Sequence, residues 1–174
     1  MLVATSGVLL KGSVHRYGKY LLCLSIIFPG SVYADMEKNL CFPGENIYFS
    51  CSLENGKIAS VCAKDNVSPT QGYVQYRYGG VGAVELEYPK KHVAPKGVFY
   101  LVDASEGSVN QNIIKFRSGP YTYLLNQAFV SFLTVLDKGE VISRKYCQAG
   151  IHAHLTSEAL KGVEMIDKSE EDFK

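Results

Sequence analysis

Few side chains in this chain have the types and spacing that chemistry requires. His152-Ala153-His154 sets two imidazoles on one face of an extended segment, a spacing that zinc and copper sites use. Two ligands are not a site, and nothing in the sequence brings His92 or Glu158 alongside them, so a solvated loop is the expected role. Glu85 and Glu87 have the same-face spacing of a paired-carboxylate hydrolase. Gln75 and Arg77 sit on the preceding predicted strand, however, and a cross-strand pairing ladder is the simpler expectation. Gly79-Gly80-Val81-Gly82 is glycine-rich like a phosphate loop, but it joins two strands and lacks the lysine and following helix such a loop needs. There is no Gly-x-Ser-x-Gly run, and no lone cysteine with a plausible histidine partner. The chain therefore reads as non-catalytic, with no cofactor and no metal site.

The amino terminus directs the remaining chemistry to an oxidising compartment. Lys11, His15, Arg16 and Lys19 precede an apolar run from Tyr20 to Phe28, and Val32-Tyr33-Ala34 has the small residues of a signal-peptidase site. Residues 1–34 read as a signal peptide and 35–174 as a single exported domain, placed in the periplasm. The apolar run falls well short of the ~20 residues that span a bilayer. Leu22 before Cys23 is bulkier than a lipid-attachment site prefers. The leader holds three of the 18 basic residues and none of the 17 acidic ones, leaving 15 against 17 in the exported part. That balance offers no concentrated basic face for nucleic acid or an anionic membrane.

Cys23 leaves with the leader, and Cys41, Cys51, Cys62 and Cys147 remain, an even set that predicts two disulfides. A turn at Asn55-Gly56 sets Cys51 opposite Ser60, whereas a turn at Gly56-Lys57 sets it opposite Cys62; both registers put these residues on one face. The expected pairing is Cys51 with Cys62, leaving Cys41 with Cys147.

The elements that position these residues are mostly strands. Asn46–Leu53 and Ile58–Ala63 form a first predicted hairpin, with Ile47, Phe49, Cys51 and Leu53 facing the core and Tyr48, Ser50 and Ser52 on a wetter face. Tyr73–Tyr78 and Ala83–Tyr88 form a second, in which a Gly80-Val81-Gly82 connection would pair Arg77 with Glu85 and Gln75 with Glu87. Further strands are expected over Gly97–Val102, Asn112–Arg117, Tyr121–Leu125, Ala128–Leu136 and Val141–Cys147. Thr156 or Ser157 caps a short helix to about Asp167, and Ser169–Lys174 reads as frayed. The fold class is mainly β, an antiparallel sandwich or barrel of about seven to nine strands with a short C-terminal helix.

Tyrosine is the conspicuous side chain. Tyr73, Tyr76 and Tyr78 flank Arg77, Tyr88 lies across from them, and Tyr121 and Tyr123 follow the Ser118-Gly119-Pro120 turn. Tyrosine and arginine are enriched where proteins meet proteins, because they bring large contact area with little freedom to lose.

Two resemblances carry expectations. The segments Phe49-Ser50-Cys51, Asn55-Gly56-Lys57, Val61-Cys62-Ala63, Gly72–Gly79 and Val84–Pro89 resemble a group of small exported Gram-negative proteins, a likeness that implies a β-rich fold and carries no activity with it. Ser118-Gly119 followed by Tyr121 is similar to the loop that periplasmic lysozyme inhibitors, small β-barrels, insert into the lysozyme cleft. The leading expectation is a periplasmic protein that binds another protein, a toxin or hydrolase, as an inhibitor or immunity protein would. Its contact residues would be Tyr76, Arg77, Tyr78, Glu85 and Glu87, with Ser118, Gly119 and Tyr121 second. The rivals are an envelope-polymer hydrolase using Glu85 or Glu87 with a histidine, and a structural envelope component.

Overall fold

Alternating apolar residues and tight turns give ten strands in the computed structural model, which describes residues 38–148 and 155–174. The signal-peptide reading and the His152/His154 pair lie outside the described residues. Strands β1 (Asn46–Ser52), β2 (Ile58–Lys64), β3 (Tyr73–Gly80) and β4 (Ala83–Tyr88) form one antiparallel sheet in sequence order. A second meander follows: β5 (Phe99–Asp103), β6 (Asn112–Ser118), β7 (Tyr121–Gln127), β8 (Phe132–Asp137) and β9 (Glu140–Tyr146). Helix α1 (Ser157–Gly162) then leads to β10 (Glu164–Ile166), which joins the far edge of that sheet parallel to β5. The fold is mainly β, two sheets of four and six strands with no closed barrel.

The inner faces of the sheets share one core. Phe49, Leu53, Val61, Val74 and Tyr76 come from the first sheet, and Phe99, Leu101, Ile114, Phe116 and Leu125 from the second. Phe116 is its aromatic hub: it stacks on Tyr123 at 4.7 Å and on Tyr88 at 5.2 Å, and meets Tyr76 at 4.9 Å and Phe99 at 5.1 Å. Offset and tilted pairs at such separations each contribute about 0.5–1.5 kcal/mol beyond area burial.

Much of each outer face is also covered, which single-sided alternation does not foretell. Segment 38–45, expected to be an irregular lead-in, straps the outer face of the first sheet. Ser50 Oγ donates to Lys38 O, the Leu40 amide donates to Ser60 Oγ, and Ser50 and Ser60 are buried beneath. The wetter face of β1 is therefore dry, and a bulge between Ile47 and Phe49 turns Tyr48 into the core as well. On the second sheet, Val102, Ile113, Leu124 and Leu136 form a smaller apolar layer against Ile166. The end of the chain closes over it as a 3₁₀ turn, Glu170–Phe173, rather than fraying. Asp172, fully buried there, binds Lys115 Nζ at 2.6 Å and completes a capping box with Ser169.

The cysteine pairing differs from the expected one. Cys41 joins Cys62 and Cys51 joins Cys147, with Cα separations of 5.3 and 5.5 Å. The cause is the parity of the first hairpin: Ser52 pairs with Ile58, so the loop is five residues long and Cys51 faces Ala59. A one-residue change of register turns a strand's whole side-chain set to the other face. Cys51 points into the core toward Cys147, and Cys62 points outward to the strap. The first disulfide thus staples the strap, and the second ties the end of β1 to the end of β9, where Leu53 and Cys147 also form a bridge.

Other expectations shift less. In the second hairpin Arg77 pairs with Glu87 and Tyr78 with Leu86, because a bulge at Tyr78/Gly79 and a Val81-Gly82 turn replace the three-residue connection. Gly79 takes φ +152°, and a Cβ there would lie 2.4 Å from Ala83 O, so the bulge requires glycine. The helix stops at Gly162 rather than near Asp167. Val163 turns extended, and Met165 and Ile166 pair with Leu101 and Val102 instead.

Candidate functional site: an inter-sheet cleft and the strand beside it

The expected contact residues separate into buried and exposed sets. Tyr76 is 1% exposed and packs in the core, while Tyr78 is half-buried on the same face and accepts a hydrogen bond from Asn55 Nδ2 at 3.0 Å. Arg77 lies on the opposite face, fully buried under the strap. Its Nη1 donates to Leu40 O and to Glu45 Oε2, its Nη2 donates to Glu45 Oε1 and Gln75 Oε1, and its guanidinium lies 4.0 Å over the Phe42 ring. Glu45 also accepts from the Tyr73 hydroxyl and the Phe42 amide. Burial by itself would raise the Glu45 carboxyl, but hydrogen bonds from Arg77, Tyr73 and the Phe42 amide outweigh it and hold Glu45 below its usual range. Arg77 is thus a structural cation here.

The two carboxylates also stand opposite cations. Glu85 is exposed and paired with Lys57, and Glu87 lies 3.4 Å from Arg77 Nε. His92 stacks flat on Tyr73 at 3.8 Å. Among the described residues, the structure brings neither Glu85 nor Glu87 to an imidazole. Ser118 and Tyr121 pair at the foot of the β6–β7 hairpin, with Gly119 at φ +59° in the turn and Tyr121 38% exposed. That turn borders a shallow polar depression with Arg117, Lys138 and Glu171, which Arg77 does not line.

Between the sheets, Tyr76, Tyr78 and Leu86 oppose Tyr123, Leu133, Val135, Ser143 and Lys145 across a cleft of about 190 Å³. Its floor is laid by register: Tyr123 pairs with Val135 and Val135 with Ser143, and in the next row Leu133 pairs with Lys145. Alternation along β9 sends Ser143 and Lys145 inward and Arg144 and Tyr146 outward.

That outward side carries several exposed apolar side chains. Ile142 is 57% exposed and Tyr146 44%, Val141 and Val130 are exposed beside them, and Phe129 in the adjoining loop is 95% exposed. Arg144 is fixed among them: its Nε donates to Thr134 Oγ1 at 3.3 Å and its guanidinium lies 5.1 Å over the Phe132 ring, which meets Tyr146 at 5.8 Å. β9 is an edge strand, paired only with β8 until Tyr146 O accepts from the Glu54 amide. Phe129, Ile142, Arg144, Lys145 and Tyr146 gave no sequence signal, because strand periodicity does not reveal which strand is the edge or which apolar face lacks a cover.

Fold and site together define a mainly β, disulfide-stapled domain with an aromatic and apolar edge strand. Among known proteins, no family model, no curated protein and no solved structure matches the chain.

Proposed function

We propose that this chain is an exported, non-catalytic protein-binding domain that uses the outward side of β8 and β9 to hold a secreted hydrolase or toxin, in the manner of a periplasmic inhibitor or immunity protein. The observation that carries this reading is the Ile142–Arg144–Tyr146 strip on an edge strand, continued by Phe129 and Val130. Exposed apolar patches of this kind on folded domains mark interaction sites, and tyrosine with a pre-positioned arginine is the composition of an interface centre. A free strand edge adds backbone groups with which a partner's extended segment can pair. Two disulfides fit export, and among the described residues no helix is long and apolar enough to cross a membrane.

The test uses the exported chain as bait against a panel of purified secreted toxins and cell-wall hydrolases, alongside the Ile142→Asp/Tyr146→Ala variant. The expected result is a partner retained by the wild-type chain, inhibited by it, and lost by the variant while the thermal midpoint is unchanged. Equal retention by both baits, or no partner in the panel and in periplasmic extract, overturns the reading.

A further inference from the structure

The cleft between the sheets has a chemistry of its own, separate from the outer strip. Its walls are apolar at Leu86, Leu133 and Val135, and three tyrosines and one lysine punctuate them. Lys145 is the one cation among the cleft's lining residues, and among the described residues it makes no ion pair and donates no side-chain hydrogen bond. The hydroxyls of Tyr76 and Tyr123 have no hydrogen-bond partner among the described residues either. Burial, with neighbouring tyrosines, pushes both phenols above their ordinary range, so each is a neutral donor at physiological pH. A half-enclosed apolar cleft with donors and one uncompensated cation complements an apolar anion.

Volume narrows the class. An apolar cavity of about 150 Å³ holds one benzene molecule, so a cleft of about 190 Å³ takes one ring with a short substituent. We propose that this cleft binds a small monocyclic carboxylate, its ring between Leu86, Leu133 and Val135 and its carboxylate on Lys145 Nζ with a tyrosine hydroxyl. The Cys51–Cys147 disulfide, two residues beyond Lys145, and the Leu53–Cys147 bridge hold β9 against the first sheet at this corner. The site is therefore built on anchored strands rather than on a loop.

The probe is 3-phenylpropionate, titrated into the oxidised exported chain and followed by amide and methyl chemical shifts, with the neutral 3-phenylpropanamide and a tripeptide ending in a free-carboxylate phenylalanine run in parallel. The expected result is saturable shifts at Val135, Leu133 and Tyr123, with the amide and the Lys145→Met variant each weakened about tenfold or more, as loss of a charge-assisted bond implies. Equal binding of acid and amide removes the anion specificity and overturns the proposal. So does wild-type affinity in Lys145→Met, absence of saturable shifts, or binding by the tripeptide alone, which would make the cleft a socket for a protein terminus. Outer-strip variants leave these shifts unchanged, so failure here and failure of the protein-binding reading are distinguishable.

Discussion

Replacing Glu45 with Ala exposes how much of this domain hangs on one buried ion pair. The Arg77 side chain is wholly buried and that of Glu45 is 1% exposed, and Glu45 receives Arg77 twice, the Tyr73 hydroxyl and the Phe42 amide. Removing the carboxylate leaves a guanidinium under the strap with only Leu40 O, Gln75 Oε1 and the more distant Glu87. Breaking a buried pair by deleting one partner costs about 3–5 kcal/mol, mostly the penalty of the stranded charge. With a urea dependence of about 2 kcal/mol per molar for a domain of this size, the midpoint falls by about 2 M. The Cys41–Cys62 bond keeps the strap attached, so the loss appears as lower global stability together with faster amide exchange at Leu40 and Phe42. The double change Glu45→Gln/Arg77→Met costs less than the two single changes summed, because neither charge is left alone. Burial raises Glu45 and its hydrogen bonds lower it further, for a net depression below 4.5. Its stabilising contribution is therefore complete above pH 4.5 and is lost as pH falls through the lower folded value. A loss below about 1 kcal/mol for Glu45→Ala, or strict additivity in the double change, refutes the reasoning.

Other outcomes follow from the same structure. Non-reducing digestion yields peptides linking Cys41 to Cys62 and Cys51 to Cys147, and a Cys51–Cys62 peptide contradicts the register of β1 and β2. Replacing Cys51 and Cys147 by Ala costs about 4.7 kcal/mol by the chain-entropy relation, more than the about 3.3 kcal/mol for Cys41 and Cys62, since the sequence separations are 96 and 21. Urea midpoints of the two double variants give the order. Lys115→Met strands Asp172 and releases the terminal turn. Burial raises the Asp172 and Glu171 carboxyls, but Lys115 and their other partners lower them further, so in the wild-type chain the same release occurs as pH falls through their lowered folded values. Protease cleavage near residues 167–170 reports both. Gly162→Ala places a Cβ 2.0 Å from Asn66 Oδ1 and 2.6 Å from the Tyr48 hydroxyl, displacing a fully enclosed network, and lowers stability by about 1–3 kcal/mol in thermal unfolding.

How far the sequence alone reaches is clear from particular residues. Period-two spacing located the hairpins from Asn46 to Tyr88 and from Asn112 to Leu125, and it assigned Phe49, Cys51 and Leu53 to the inward side, because alternation is a property of the local backbone. Cysteine pairing was not legible, since one residue of loop length decides the face of Cys62 and the turn sequence permits several lengths. Arg77 looked like a surface cation for a similar reason: what buries it is Phe42 and Glu45, more than thirty residues earlier, in a segment with no periodicity of its own. Lys115 and Asp172 meet across 57 positions, and neither residue type announces a partner at that range. The cleft depends on two sheets that share a core and are tied at one corner by Cys51–Cys147, and the exposed strip on the absence of a cover over β9. Both are tertiary facts that no window along the chain contains.

The affinity of the captured partner for the Ile142→Asp chain relative to wild type, measured by titration calorimetry on folded proteins of equal thermal midpoint, tests the central claim most directly. A residue at the centre of an interface is worth about 2 kcal/mol or more, which predicts a loss of about thirtyfold or greater. Unchanged affinity would place the recognition surface somewhere other than β8 and β9.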